Sequence, residues 1–495
     1  MPRSNSLLPT DSFPLTDYGS VLSDAEDNGK IIKNAFNESF DTIIRTSTSE
    51  GVTFVFAFCD ALCDSFLASD CVIRPVGEFE GRYPKSGRAR FISDNVLVCS
   101  EVTYEKNLNK VMQSMLSGSI AVFIDGESEC LVCSMPKIPI RSISEPEGEV
   151  QEKGSREGFI ENIKVNVSLI RKRLVTPQLK IDTMRIGRTS NTRVAVCYIE
   201  NKADPKTVRE VKARLSEVKS DTILGANYFR VFLDTDKKTL FSMVGNTERP
   251  DVLCAKLDEG KVGLMVDGTP FVLIVPYLFV ENFQTMDDYL NRPFFATLIR
   301  LLRIACFGIS ILLPGIYVAI GLFHQELLPD KMLLSIVMSE SNTMFPLVVE
   351  ALVIHFIYEA VREAGLRMPK SVGNAVSIVG ALVIGDAAVT AGLIGAPMLI
   401  VVAMTAISSF VVSALYQPVS LLRLLFIIVG GLTGLYGIMI GVGVLIINMC
   451  SITAYDTALL SPLVPYDASL FRDTFFRSNH KTLSRKVFNV GKLKK

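Results

Sequence analysis

The chain has 495 residues, which is enough for two to four folding units, and its 51 basic and 51 acidic side chains give no net charge. Without an overall basic excess, composition gives no support for nucleic-acid binding. The zero sum hides an asymmetry, because most charged residues precede Arg303 and the last quarter is nearly uncharged until its basic end. The ten cysteines show no disulfide framework, which indicates a reducing compartment for the soluble part.

The N-terminal residues 1–30 are rich in Ser, Asp, Pro and Gly and poor in large apolar side chains. This composition predicts disorder, and we place the end of the disordered N-terminus at residue 40. The segment contains no apolar stretch, so no cleavable signal peptide is predicted. We therefore expect the large N-terminal part to stay in the cytoplasm.

Two pairs of similar segments recur at an offset of about 140 residues. Each segment of the first pair is predicted to be an apolar strand that runs into a short acidic loop. The two segments are GVTFVFAFCDALCD (51–64) and NTRVAVCYIENKAD (191–204). Each segment of the second pair is predicted to be a β-hairpin with an Asp-Gly turn. The two segments are GSIAVFIDGESECLVC (118–133) and GKVGLMVDGTPFVLIV (260–275). The shared offset predicts a tandem duplication of one α/β unit.

This repeat sets the domain boundaries of the soluble region. We place an α/β lobe 1 at residues 41–140, a polar linker at residues 141–156 and an α/β lobe 2 at residues 157–290. The second lobe opens with Glu157–Leu174, whose apolar residues fall at helical spacing. Two interpretations of this helix stay open: it packs on its own lobe, or it contacts the other lobe or another subunit.

Five long apolar segments follow, at about 304–323, 345–361, 375–394, 397–416 and 424–449. Since about 20 apolar residues span the hydrocarbon core as a helix, residues 291–455 are predicted to form an all-α polytopic membrane domain. Residues 456–495 are expected to be a basic cytoplasmic tail. The fold class predicted is thus an α/β tandem-duplicated cytoplasmic region followed by this membrane domain.

The number of crossings conflicts with the charges at the flanks. Arg292, Arg300 and Arg303 precede the first segment and a basic tail follows the last, so both flanks are expected on the cytoplasmic side. Five crossings cannot achieve this. Either one segment is re-entrant or interfacial, or residues 331–339 add a part-span.

The sequence gives little support for an enzymatic activity. The three histidines, His324, His355 and His480, have no nucleophile or second ligand at a characteristic spacing, and the phosphate-binding and HExxH motifs are absent from the sequence. Cys130 and Cys133 lie on a predicted strand, where residues three apart point to opposite faces. We predict no catalytic residue, no metal site and no cofactor.

The most informative polar residue of the apolar region is Asp386. A carboxylate at membrane depth is costly and usually faces a cavity, a pore or a partner. Thr390 lies one helical turn beyond it and Leu393 follows, so with Val389 these residues predict an ion pathway that has a hydrophobic constriction. The alternatives are that Asp386 marks the mouth of the helix or pairs with Arg423.

The second apolar segment contains Glu350, His355 and Glu359, and Arg362 and Glu363 follow its end at helical spacing. One interpretation is an interfacial helix whose polar groups satisfy one another. The other assigns Glu350, Glu359 and Arg362 to gating or to subunit contact. The Gly-rich stretch 430–443 is typical of close helix packing.

Several stretches together resemble the A-subunit family of the spore germination receptors (GerA type) of endospore-forming bacteria. They are ISEPEGEV (143–150), REGFIENIKVNVSLIRKRL (156–174), NTERPD (246–251), DGTPFVLIVP (267–276), FHQELLP (323–329), VEALVIHFIYEAVREAGLRMP (349–369) and IGDAAVTAGLI (384–394). In the last stretch Asp386 stands where many members carry an uncharged amide. A sporulation-stage paralogue belongs to the same family.

The resemblance implies a multi-pass protein of the spore inner membrane with its N-terminal region in the cytoplasm. It implies two partners, a transporter-like B subunit that binds germinant and a lipoprotein C subunit, besides membrane lipid. It also implies that A subunits form a homo-oligomeric ring that releases monovalent cations on nutrient sensing. A scaffold that clusters receptors without conducting is the alternative, and a secondary transporter is disfavoured because the apolar region shows no repeated half.

Overall fold

The computed structural model describes residues 17–37, 39–137, 146, 148–149, 153–234, 239–367, 385–466 and 473–477. The chain divides into two compact units. Unit 1 holds the described residues up to Leu233 together with Val244–Pro276, and unit 2 holds Asp234–Met243 and the described residues from Tyr277 onward.

The first lobe of unit 1 is a five-stranded antiparallel sheet of order β1-β2-β4-β5-β3. The strands are β1 (Thr42–Ser49), β2 (Val52–Cys59), β3 (Val102–Glu105), β4 (Ser119–Ile124) and β5 (Cys130–Ser134). Its helices are α1 (Ala25–Ala35), α2 (Ser65–Ala68), α3 (Arg74–Glu78), α4 (Arg88–Asn95) and α5 (Leu108–Met115), with a π-helical turn at Ser69–Ile73 between α2 and α3.

Helices cover both faces of this sheet, which explains why β2 is apolar at nearly every position. Phe54 and Phe56 pack with residues of α2, α3 and α4, whereas Val55 packs on the other face with residues of α1 and α5. Cys130 and Cys133 of β5 are buried in these two separate clusters, which confirms that they point to opposite faces.

The second lobe repeats the strand order of the first. Its strands are β6 (Leu179–Ile186), β7 (Thr192–Ile199), β8 (Gly245–Thr247), β9 (Val262–Val266) and β10 (Val272–Val275). They pair in the order β6-β7-β9-β10-β8. Its helices are α6 (Ile163–Arg173), α7 (Pro205–Ser216), α8 (Asn227–Leu233) and α9 (Pro250–Asp258).

Matched side-chain contacts confirm the predicted repeat. In lobe 1 the Asn28 side chain both accepts from and donates to the backbone of Leu22, and in lobe 2 Asn166 does the same with Ile160. The backbone N–H groups of the turn residues Gly126 and Gly268 donate to Ser23 and Glu161. Both glycines have positive φ, 85° and 88°, as the predicted Asp-Gly turns require.

One helix lies where disorder was expected. Helix α1 (Ala25–Ala35) begins at Asp24, whose carboxylate accepts hydrogen bonds from the N–H groups of Glu26 and Asp27. Ile32 and Ala35 bury its apolar face against the first sheet. The prediction of a disordered N-terminus up to residue 40 is therefore wrong for α1, and residues 1–16 lie outside the described part.

A buried ion pair joins the two lobes of unit 1. Arg171 of α6 donates to Asp41 through Nε at 2.8 Å and Nη2 at 3.0 Å, and to Ser39 Oγ at 3.1 Å. Both charged residues are at most 1% exposed. Burial alone would raise the pKa of Asp41, but the charge and hydrogen bonds of Arg171 outweigh it and lower the pKa. Helix α6 also packs on α9 of its own lobe, so both interpretations of this helix hold.

Unit 2 is mostly helical. Its helices are α10 (Asp287–Leu290), α11 (Pro293–Phe323), α12 (Asp330–Glu340), α13 (Leu347–Arg367), α14 (residues 385–390), α15 (Ala396–Val411) and α16 (Tyr416–Ser451). Short 3₁₀ turns lie at Phe279–Phe283, Gln325–Leu327 and Ser413–Leu415, and β11 (Thr453–Ala454) pairs with β12 (Thr457–Ala458). Residues 375–384, half of the predicted segment 375–394, lie outside the described residues.

Two of the described helices are long and apolar enough to cross a membrane. They are Pro293–Phe323 and Ser413–Ser451, and Ala396–Val411 is a shorter apolar helix. Within the described residues, α13 does not meet this criterion, and it is the segment that carries Glu350, His355 and Glu359.

Helix α16 reverses direction at Gly434, where φ is 68° and ψ is −157°. A β-carbon at Gly441 would lie 2.8 Å from the Phe426 ring, and one at Gly430 would lie 3.2 Å from Ile438. In a straight helix residues 15 apart are roughly 22 Å apart, so these contacts require a helical hairpin. Its first leg is residues 416–433 and its second leg is residues 435–451.

Glycines bring the first leg of α16 against α11. A β-carbon at Gly315 would lie 2.5 Å from the Phe426 carbonyl oxygen, and one at Gly430 would lie 2.5 Å from the Gly315 carbonyl oxygen. The reversal at Gly434 lies beside Phe323, at the end of α11. This agrees with the prediction that the Gly-rich stretch serves close helix packing.

Candidate functional site

The predicted ion-pathway residues lie at α14 and the turn that follows it. Asp386, Thr390 and Leu393 are exposed in the single chain, and Leu393 keeps 37% of its surface accessible. Val389 is half-buried and packs with the core formed by α13 and α15. The structure therefore places three of the four residues on the outside of unit 2 and turns Val389 partly inward.

The alternative pairing of Asp386 with Arg423 is wrong. The buried Arg423 of α16 donates from Nε to the carbonyl oxygen of Ser310 on α11 at 2.9 Å. Its Nη1 lies 3.8 Å from Glu359 Oε1 on α13. Its guanidinium also lies over the ring of Tyr358, with 5.7 Å to the centroid. Arg423 thus links α11, α13 and α16, and it does not pair with Asp386.

Glu359 and Arg362 belong to a polar contact between α13 and α16. Glu359 accepts hydrogen bonds from the hydroxyls of Tyr416 and Ser420, the latter at 2.6 Å. The Arg362 guanidinium lies over the Tyr416 ring, 3.1 Å from its centroid. The self-satisfied polar face is therefore wrong for these two residues, because their partners lie on a neighbouring helix. Sequence reasoning missed Tyr416 and Ser420, although two hydroxyls one turn apart in an apolar helix are a signal of a buried polar partner.

Glu350 has a different environment. It is 1% exposed, and its Oε1 accepts a hydrogen bond of 2.6 Å from the backbone N–H of Gly395, just before α15. The nearby His355 is also buried, and its Nδ1 contacts the carbonyl oxygen of Ala351 at 2.8 Å. Glu350 therefore positions the turn between α14 and α15.

The arginines at the start of α11 are held by acids rather than left exposed. Arg300 donates from Nε to Asp288 at 2.9 Å and from Nη1 to the carbonyl oxygen and Oδ1 of Asp473 at 2.7 and 3.1 Å. Arg303 donates to Asp288 at 2.9 Å. Asp473 also accepts from the Tyr289 hydroxyl at 2.8 Å. Part of the predicted tail is therefore packed into unit 2, which the sequence did not indicate.

The chemistry of the remaining groups is limited. Within the described ranges, no group of three or more His, Cys, Asp and Glu side chains is placed to hold a metal ion. All ten cysteines are free thiols. Burial raises the pKa of Cys63 and of Cys254 to about 12, so these thiols are neutral and weakly nucleophilic near pH 7.

Comparison with known proteins identifies the family. The profile described as "Bacillus/Clostridium GerA spore germination protein" matches residues 30–487. The chain belongs to the GerA spore germination family.

GerA relatives match over most of their length. Spore germination protein KA of Bacillus subtilis (strain 168) is 38% identical over 90% of this chain and 82% of its own. Spore germination protein GerQA of Bacillus cereus is 30% identical over 96% of this chain and 95% of its own. The N-terminal domain of the A subunit of the Bacillus megaterium germinant receptor GerK3 is 26% identical over 52% of this chain and 97% of the solved one, with a TM-score of 0.41.

The resemblance to the spore germination receptor family is therefore confirmed. GerA proteins are germination receptor subunits rather than a known enzyme class. The α/β nature of the N-terminal region and the mostly helical C-terminal region are confirmed by the elements themselves. The ion-pathway and gating roles of the predicted site residues stay predictions.

Proposed function

We propose that this chain is the A subunit of a germinant receptor of the spore inner membrane. In this proposal its copies form a ring around a path for monovalent cations, and the path opens when a partner binds germinant. The partners would be a transporter-like B subunit, which binds the germinant, and a lipoprotein C subunit. Membership of the GerA family supports the receptor role.

The exposed position of Asp386 carries the conductance part of the proposal. The outside of unit 2 is otherwise rich in apolar side chains such as Phe356, Leu432 and Met439, which are 73–74% exposed. A carboxylate that faced lipid among them would be unfavourable. If several copies meet with α14 toward a common axis, Asp386 and Thr390 face water and form a ring that attracts cations. Leu393 then supplies an apolar constriction.

The hairpin in α16 supports an even number of crossings. When the fifth predicted segment is counted as two legs, the five segments become six crossings, and both flanks lie on one side. Each leg of 17–18 residues is roughly 26 Å long, close to the thickness of the hydrocarbon core. With six crossings, the arginines before the first segment and the basic tail lie on the same side of the membrane, which five crossings do not allow. It predicts that Gly434 and the Arg292 end of α11 lie on opposite sides of the membrane.

Reconstitution of the purified full-length chain in liposomes tests the proposal. We expect K⁺ efflux from vesicles that contain the wild type, a larger leak after Leu393→Ala, and reduced cation preference after Asp386→Asn. Asp330→Asn, which changes an exposed acid on α12, serves as the matched control and should leave efflux unchanged. Silent vesicles for both the wild type and Leu393→Ala, with assembled protein present, would favour a scaffold without conductance.

A further inference from the structure

Two acidic side chains meet at the junction of α12, α13 and the turn before α15. Glu350 lies in the first turn of α13 and is 1% exposed. Its Oε1 is engaged by the Gly395 N–H, but its Oε2 is buried without a hydrogen-bond partner. Glu340, the last residue of α12, likewise has its Oε1 buried without a partner.

The surroundings of this pair are rich in oxygen and poor in positive charge. A β-carbon at Gly321 of α11 would lie 3.9 Å from Glu340 Oε1 and 2.6 Å from the Leu347 side chain, at the start of α13. A β-carbon at Gly395 would lie 3.5 Å from Glu350 Oε1 and 2.9 Å from Ser339 Oγ, next to Glu340 in the chain. Ser339 Oγ accepts a hydrogen bond from the Ala396 N–H at 3.2 Å and lies beside Gly395. In the part of the chain that the structure describes, no salt bridge joins Glu340 or Glu350 to a basic side chain.

Electrostatics requires that something neutralise the pair. Buried carboxylates without a partner are strongly disfavoured unless they are protonated, paired or bound to a metal ion. Two ionised carboxylates match the charge of one divalent ion, whereas a monovalent ion would leave a negative charge buried. Carboxylate, hydroxyl and carbonyl oxygens are the ligands of hard cations such as Ca²⁺, which also keeps water in its coordination shell.

We infer that Glu340 and Glu350 bind one divalent cation of the Ca²⁺ class through their unpaired oxygens. The ion would tie the end of α12 to the start of α13, while Glu350 keeps its hydrogen bond to Gly395. This site does not include Asp386, and it would stand even if the chain conducted no ions. It adds a binding site to the receptor subunit rather than a step in the proposed ion path.

Calcium binding to the full-length chain in detergent tests the inference. After removal of divalent ions with a chelator, titration with Ca²⁺ should show one site per chain and raise the melting temperature. Glu340→Gln and Glu350→Gln should each weaken Ca²⁺ binding at least tenfold and abolish that rise. Glu363→Gln is the matched control, because Glu363 is an exposed acid of α13 that pairs with Arg367, and it should bind Ca²⁺ as the wild type does.

Three outcomes would overturn the inference. The first is a wild type that binds neither Ca²⁺ nor Mg²⁺. The second is Ca²⁺ binding that survives both substitutions. The third is a Glu350→Gln protein that melts at a higher temperature than the wild type at every Ca²⁺ concentration, which would mean that the two carboxyls share a proton. If Glu350→Gln does not fold, Glu340→Gln decides, since the less buried Glu340 carries half of the site.

Discussion

The buried pair between the two lobes gives the sharpest prediction about the fold. Replacing Arg171 by Met keeps the apolar stem but leaves Asp41 buried with two charge-assisted hydrogen bonds lost. Removing one partner of a fully buried ion pair costs about 3–5 kcal/mol. Even the lower figure corresponds to a roughly 100-fold increase in the population of open states.

Hydrogen exchange of the full-length chain, followed by mass spectrometry, measures this effect where it occurs. The chain has no Trp, so a method that locates exchange by peptide is preferable to fluorescence. We expect protection in β1 and β6 to fall roughly 100-fold or more in Arg171→Met. Arg188→Met is the control, because Arg188 is 81% exposed and lies 3.9 Å from Asp221, a surface pair that contributes little.

The reasoning would be refuted by protection in β1 and β6 that stays within threefold of the wild type. In that case the lobes would be held by their apolar contacts, and the ion pair would be energetically neutral.

Three further predictions concern pH, packing and the start of α11. Folding lowers the pKa of Asp41, so the stability that its ion pair gives to the folded chain is complete above the unfolded pKa of about 3.9 and is lost as the pH falls through the folded pKa. Exchange protection that already declines between pH 7 and pH 5 would contradict this. Gly430→Leu should destabilise unit 2 by about 1–3 kcal/mol, because the added side chain overpacks the contact with α11. Gly443→Leu is the control, because a β-carbon at Gly443 meets open space, and it should not destabilise the unit. Equal melting temperatures of the two variants in detergent would count against the hairpin packing. Asp288→Asn removes the carboxylate shared by two arginines and should expose the start of α11 to proteolysis, with unchanged cleavage as the contrary result.

Much of unit 1 could be predicted because its signals are local. Asp-Gly turns between apolar strands specify hairpins directly, and the shared offset of two segment pairs reveals the repeat. Helix α1 was missed because its polar composition outweighed a short apolar face and an Asp24 cap. The Arg171–Asp41 pair was beyond reach, since 130 residues separate its partners.

In unit 2, hydropathy located the apolar segments but not their path. The reversal at Gly434 leaves no mark in a hydropathy profile, because neither leg is interrupted by a charged residue after Arg423. Only the backbone, with a positive φ at one of several glycines, shows the turn. The acids that hold Arg300 were likewise hidden, because Asp473 lies 173 residues farther along the chain.

The central claim is that copies of this chain assemble with Asp386 facing a common water-filled path. The most direct test is substituted-cysteine modification of Asp386→Cys in reconstituted liposomes during K⁺ efflux. We predict that a positively charged, membrane-impermeant thiol reagent reacts at this position and blocks efflux, while the same reagent leaves wild-type efflux unchanged. Complete reaction at position 386 with undiminished efflux would contradict the account, because the path for ions would then lie elsewhere.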